Sequence, residues 1–310
     1  MSARPDPIRC AFERGTDQPL TRRGEAAQST LAAAFNCSGR GLHTGRHANV
    51  RVSPAAADLG IVFRRLLRPG AAVTIPALWQ ARVPQPLCTA LQGPDGTLVR
   101  TVEHLLAALN ALEIDNALVE IDAEELPIFD GSAMPWCDKI EEAGRIRSTA
   151  SRRMIRVRRP IEVRDGRRSL RIEPAETLSI AARLSLAHWG ELQWEGVITP
   201  ESFVRDIAPS RSFGRLKWAL PAKIYAALSG RPLLRGANLS TTAAIVGSRV
   251  IGGMRVPDEP VRHRILDLIG DLSLAGHGIL GHVSAAHTGH ELNHALVAQL
   301  MRDPSAWDLI

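Results

Sequence analysis

In the segment VRHRILDLIGD, residues 261–271, His263, Asp267 and Asp271 recur every four positions, so on a helix all three project from one face. An imidazole and a carboxylate one turn apart are the N and O donors that suit a catalytic zinc, which takes three protein ligands and keeps one position open. The apolar residues Val261, Ile265, Leu268, Ile269 and Leu272 gather on the opposite side, while Leu266, Gly270 and Leu274 flank the polar stripe, so the stripe is expected to be enclosed. His104 would complete the ligand set with His263 and Asp267, and Glu103 beside it could act as general base on the attacking water. His290 is the candidate general acid, with Asp271 holding it as imidazolium. Each signal taken singly has an ordinary explanation. A helical His followed by Asp is commonly an exposed i,i+4 pair, and Glu-His lacks the HExxH spacing. His290 could simply cap its helix, and His277, His282, His287 and His294 are rival donors.

These groups need elements to hold them. Pro260 after Asp258 and Glu259 fits a helix start and Gly276 its stop, giving a helix over 261–275. Upstream, TVEHLLAALNAL (101–112) has helical spacing, NALVEID (116–122) alternates as a strand, and GSAMPWCDKIEEAG (131–144) reads as a helix closed by Gly144. Short β-like pieces precede them: LAAAF (31–35), ANVRVSP (48–54) and GIVFRR (60–65). The second half repeats that order, with the helix at 261–275, a strand GHVSAAH (281–287) and a helix at 290–301. In each half the helical histidine precedes a turn by the same 26 residues, His104 to Asp130 and His263 to Gly289. The expected fold class is α+β in two similar domains, 28–150 and 151–310, after a disordered extension over 1–27 rich in Pro, Arg and Gly. Packed face to face, such domains bring His104 and His263 to one interface, where ligand sites often lie.

Composition narrows the function. With 310 residues, 45% hydrophobic and 23% charged, the chain has ordinary globular content. No apolar run reaches the roughly 18 residues of a membrane span and no secretory apolar segment opens the chain, so a cytoplasmic protein without stable membrane insertion is expected. Cys10, Cys37, Cys88 and Cys137 form no CxxC pair and read as reduced thiols. The net charge of +6 comes almost wholly from arginine, since Lys139, Lys217 and Lys223 are the only lysines. Arginine forks suit phosphate, and the positive potential suits an anionic small substrate. The densest stretch, RIRSTASRRMIRVRRP (145–160), lacks aromatic residues to stack bases and reads as a solvated linker leading into an edge strand, so no nucleic acid partner is expected.

Several segments in order change the weight of these signals. SGRGLHTG (38–45), CTAL (88–91), TVEHLLAAL (101–109), IDNALVEID (114–122), PIFDGSA (127–133), VRHRILDLIGDLSLAGH (261–277) and TGHELN (288–293) together resemble the zinc-dependent UDP-3-O-acyl-N-acetylglucosamine deacetylases of lipid A biosynthesis. The resemblance runs from about 29 to 301. It implies a β-α-α-β sandwich of two domains, each pairing a sheet with two helices, with the active site between them. It also implies Zn2+ (Fe2+ possible) on His104, His263 and Asp267, Glu103 as base, and His290 with Asp271 as acid. The implied reaction is hydrolysis of the N-acetyl amide of a UDP-sugar lipid precursor by a monomer. Where such enzymes have ARTFGF this chain has SRSFGR (210–215), so the oxyanion-stabilising hydroxyl would come from Ser212, with Phe213 the adjacent aromatic. Arg264 stands where a lysine is usual, His43 matches a position near the substrate, and 214–237 departs from the usual text of the acyl-chain passage. A paralogue acting on another N-acyl amino sugar, or a zinc-containing binding protein without catalysis, are the alternatives.

Overall fold

Alternation decides the strands. In His47–Pro54, Ala48, Val50 and Val52 point inward between exposed residues, and Ala117, Val119 and Ile121 do the same in Ala117–Ile121. The computed structural model describes residues 27–215 and 232–310 with positions 221, 224 and 228 between them. The expected extension over 1–27 lies outside the described residues apart from Ala27, and so does most of the divergent 214–237 segment.

The chain begins with β1 (Ala27–Leu31), β2 (Phe35–Arg40), β3 (His47–Pro54), β4 (Ile61–Arg68) and β5 (Ala71–Pro76). A small sheet of β6 (Arg82–Val83), β7 (Ala90–Gln92) and β8 (Leu98–Arg100) leads into helix α1 (Glu103–Ala111), then β9 (Ala117–Ile121), α2 (Met134–Ala143) and β10 (Arg145–Ser151). The later strands are β11 (Met154–Val157), β12 (Ile161–Asp165), β13 (Arg168–Glu173), β14 (Leu178–Leu186) and β15 (Gly190–Val197), with a three-stranded sheet of β16 (Phe213–Arg215), β17 (Ala243–Val246) and β18 (Arg249–Val250). Helix α3 (Glu259–Leu272), β19 (Gly278–Ala286), α4 (His290–Arg302) and β20 (Trp307–Leu309) complete it.

The repeated order seen in the sequence is a repeated topology. β9 pairs antiparallel with β3 and parallel with β4, and hairpins β2–β3 and β4–β5 flank it. β19 likewise pairs antiparallel with β13 and parallel with β14, between hairpins β12–β13 and β14–β15. In both halves one helix precedes the central strand and one follows. The second sheet is larger, because β11 also pairs parallel with β19 and antiparallel with β20.

Two sequence readings need correcting. LAAAF is no single strand: Ala32 and Ala33 donate their backbone N–H groups to Gly144 and Ala143 at 2.9 and 3.1 Å, which ends β1 at Leu31 and starts β2 at Phe35. The arginine-rich 145–160 stretch is no solvated linker, for it holds β10, paired with β1, and β11. Most of its arginines are committed to acids. Arg145 and Arg152 take Glu113 at 2.8 and 3.0 Å, Arg152 also takes Asp115 at 2.8 Å, and Arg156 and Arg158 share Asp308.

One continuous cluster of buried apolar side chains runs from the first sheet through α1 and α3 to the second. Helix α1 is buried on nearly every side, Asn110 excepted, and it packs along α3. Ala107 and Ala108 are small and fully buried, and Gly270 lets α3 approach so closely that a Cβ there would stand 2.1 Å from the Glu103 carbonyl oxygen. Leu105, Leu106 and Leu109 fill the remaining sides, each contributing roughly 1.5–3 kcal/mol by burial. Glu103, His104, His263, Asp267 and Asp271 therefore sit on a pair of helices that is almost wholly enclosed.

Candidate active site

Three helix segments converge. The first turn of α1 carries Glu103 and His104, the middle of α3 carries His263, Asp267 and Asp271, and α4 begins with His290 after Gly289. Thr101 adopts φ of 57°, and its hydroxyl donates to Glu125 at 3.0 Å, so the chain enters α1 from a fixed kink. The α3 helix starts two residues earlier than expected, at Glu259, and its N-cap Asp258 makes no side-chain cap bond. Glu259 instead accepts from the Arg211 backbone N–H at 2.9 Å, from its Nε and Nη2 at 2.8 and 3.0 Å, and from the Arg255 N–H at 3.0 Å. This buried pair pins the 210–212 segment over the histidines.

The ligand atoms of His104, His263 and Asp267 lie within 4.8 Å of one another, and all three residues are buried. Nε2 of His263 is 3.5 Å and Nε2 of His104 3.8 Å from Asp267 Oδ1, and the two imidazoles meet edge to face at 5.2 Å. His263 Nδ1 lies 3.1 Å from the Ser210 carbonyl, which fixes Nδ1 as the protonated nitrogen and leaves the Nε2 lone pair free. Burial holds the His104 and His263 imidazoles neutral, at about 4 and about 3. The Asp267 carboxyl is lifted above its ordinary range by burial, although His290, His104 and Arg264 pull against that. Two neutral imidazole lone pairs and a carboxylate whose charge its neighbours leave incompletely balanced fit a divalent cation.

The acid–base groups flank this cluster. The Thr89 N–H donates to Glu103 Oε2 at 3.0 Å, and Glu103 Oε1 lies 3.8 Å from His290 Nε2. Burial pushes the Glu103 carboxyl up to about 8, His290 opposing and Asp267 and Asp271 reinforcing it. His290 Nδ1 donates to Asp271 Oδ2 at 2.9 Å. Burial alone would lower its pKa, but Asp271, Asp267 and Glu103 outweigh that and raise it to about 10. Asp271, fully buried, also accepts from Asn293 Nδ2 at 2.8 Å; burial alone would raise its carboxyl, but His294 and His290 outweigh that and bring it down to about 2.

A cavity of about 1030 Å³ opens on these residues, lined also by Ser212, Phe213, Arg264 and His43. Phe213 lies edge to face against His263, ring centroids 6.0 Å apart, and Arg264 stacks over Phe213 at 5.2 Å with its Nε unpartnered. Ser212 is held by its backbone: its N–H donates to the Gly131 carbonyl at 2.6 Å and its own carbonyl accepts from Ala243 at 2.7 Å. Gly131, at φ of 86°, is the close approach that permits this, since a Cβ there would meet the Thr241 carbonyl oxygen at 2.2 Å. His43 does not brace its own turn. Its ring nitrogens form no close hydrogen bond, a weak backbone contact to Leu87 aside, and Glu125 instead ties the turn through the N–H groups of His43 and Thr44 at 2.7 and 2.6 Å. Of the rival histidines, His287 lines the cavity and His294 packs behind His290, ring centroids 6.3 Å apart. His282 instead pairs with Ser179 at 2.8 Å, away from the cluster.

The sequence model of the UDP-3-O-acyl N-acetylglycosamine deacetylase family matches residues 28–302. The chain belongs to this family. A UDP-3-O-acyl-N-acetylglucosamine deacetylase of Geobacter sp. (strain M21) is 40% identical over 288 residues, covering 91% of this chain and 92% of the relative. One from Myxococcus xanthus (strain DK1622) is 38% identical over 290 residues, covering 91% and 89%, and one from Shewanella sp. (strain ANA-3) is 35% identical, covering 91% and 92%. In this deacetylase-family chain, sequence reasoning missed Thr89, Glu125, Arg211, Glu259 and Asn293. Thr89, Arg211 and Asn293 lie in the quoted segments CTAL, SRSFGR and TGHELN and Glu259 at the expected helix start, yet their partners lie across the fold, where spacing is silent.

Proposed function

We propose that this chain is a zinc-dependent hydrolase that removes the N-acetyl group of UDP-3-O-acyl-N-acetylglucosamine, releasing acetate and UDP-3-O-acyl-glucosamine, an early step of lipid A biosynthesis in the cytoplasm. The observation that carries it is the buried His104–His263–Asp267 cluster with Glu103 and His290 beside it on one cavity, in a chain of this family. Two domains of like topology, 28–150 and 151–310, would sandwich α1 and α3 in a monomer. Among the described residues no helix is long and apolar enough to cross a membrane.

His104, His263 and Asp267 would hold Zn2+, or Fe2+ in its place, which would supply a Lewis acid for the acetyl carbonyl and for water. Glu103 takes the proton of the attacking water at Oε1, its other oxygen being held by the Thr89 N–H. His290, protonated because of Asp271, gives its Nε2 proton to the departing nitrogen, which avoids expulsion of an amide anion. Ser212 faces the developing oxyanion, and Arg264 and His43 meet the sugar nucleotide. Ser212→Ala is expected to lower kcat by about ten- to a hundred-fold with KM little changed, less than a fixed backbone donor would cost; equal kcat for the variant and the wild type would remove Ser212 from the chemistry.

Acetate release from the acylated UDP sugar is the direct test. Turnover is expected to stop on dialysis against a chelator and to return with about one equivalent of zinc. Turnover indifferent to chelation, or silence from folded zinc-loaded protein, would defeat this reading, and turnover of only an unacylated or differently acylated sugar would favour the paralogue.

A further inference from the structure

The CTAL segment has no part in the chemistry above beyond one backbone bond, yet Thr89 is wholly buried and touches every acid–base group of the site. Its N–H holds Glu103 Oε2 at 3.0 Å. Its hydroxyl makes a short contact to Asp271 Oδ1, and lies 3.0 Å from His294 Nε2 and 3.2 Å from His290 Nδ1. An ionised carboxylate can only accept, so the single hydroxyl proton goes to Asp271. His290 Nδ1 already donates to Asp271 Oδ2, which leaves the hydroxyl's lone pairs to accept from His294 Nε2–H. The proton order is then His294 to Thr89 to Asp271 Oδ1, while Oδ2 takes His290 and Asn293. A carboxylate bonded on one oxygen alone could swing about its Cβ–Cγ bond; with both oxygens bonded it cannot.

We propose that Thr89 is a positioning residue: its hydroxyl locks the Asp271 carboxylate against His290 while its N–H locks Glu103, so one residue sets the geometry of the acid relative to the base. Neither contact reaches His104, His263 or Asp267, so the metal centre does not depend on it. This inference rests on the deacetylase reading for its kinetic test.

Thr89→Val keeps the volume and the N–H and deletes only the hydroxyl. The expected result is a fall in kcat of about ten- to a hundred-fold, the worth of a hydrogen bond to a charged group, with KM within about two-fold. Thr89→Ser should restore most of the loss, and bound zinc should remain at about one per chain in all variants. In a His290→Ala background the Val change should cost almost nothing further, because the group it positions is gone. An unchanged kcat in Thr89→Val, an additive loss in the double variant, or loss of zinc would each overturn the proposal; should the Val variant not fold, Thr89→Ala is read in the same way. If wild-type protein releases no acetate, the functional reading fails and Thr89 is judged separately. In 15N-histidine spectra of the zinc-loaded protein, the Nδ1–H signal that His290→Ala removes must shift in Thr89→Val, and an unmoved signal overturns the role.

Discussion

Glu103→Gln should retain its metal and lose about 10²- to 10⁴-fold in kcat, the usual contribution of a positioned base. The amide is isosteric and still accepts from the Thr89 N–H, so neither the fold nor the 3.0 Å bond is at issue; only the capacity to take a proton is removed. Burial that lifts this carboxyl to about 8 makes it a stronger base than a solvated glutamate, and that gain disappears with the substitution. Steady-state turnover together with zinc content on the same preparation decides it. Turnover within a few-fold of wild type would mean that another group accepts the proton.

Gly270→Ala should destabilise the protein even though alanine is the better helix former. Propensity favours alanine by about 1 kcal/mol in a helix interior. Against that, the new methyl would stand 2.1 Å from the Glu103 carbonyl oxygen and 2.8 Å from its carbon, atoms of backbone inside a fully packed helix pair, and overpacking of this kind costs typically 1–3 kcal/mol or more. The clash wins, and α3 must move off α1. Because Glu103 and His104 travel with α1 while His263 and Asp267 travel with α3, the displacement separates the ligand set as well. A lower melting temperature, a weaker zinc affinity and a kcat reduced at least ten-fold are expected together. A melting temperature equal to or above that of wild type would show that the helices can part without cost.

The sequence was informative where one element carries the message. His263, Asp267 and Asp271 lie on one helix, so four-residue spacing fixes their common face whatever surrounds them, and the enclosed stripe is what the structure has. Helices α1, α2 and α4 were legible for the same reason, as was the duplicated order around β9 and β19. Contacts between distant elements left no such trace. Nothing near Glu125 tells that it binds the 43–44 turn, and nothing near Arg211 tells that Glu259 waits for it. Arg145, Arg152, Arg156 and Arg158 looked like part of a loose basic run because their acids lie at 113, 115 and 308. The strand over 31–35 failed similarly: backbone bonds to Ala143 and Gly144, far along the chain, interrupt a run that local pattern leaves continuous.

The crossing of α1 over α3 unites Glu103 and His104 from the first half with His263 and Asp267 from the second, His104 and His263 being about half the chain apart. Contacts of such long sequence separation carry a loop-closure cost that must be met before they reward the chain. On the proposed ligand set, metal capture would report that the whole chain has folded: a half-made protein, however orderly its first sheet, would own one imidazole of the pair. The time course of zinc uptake during refolding would consequently follow the slowest, not the first, ordering event of this molecule.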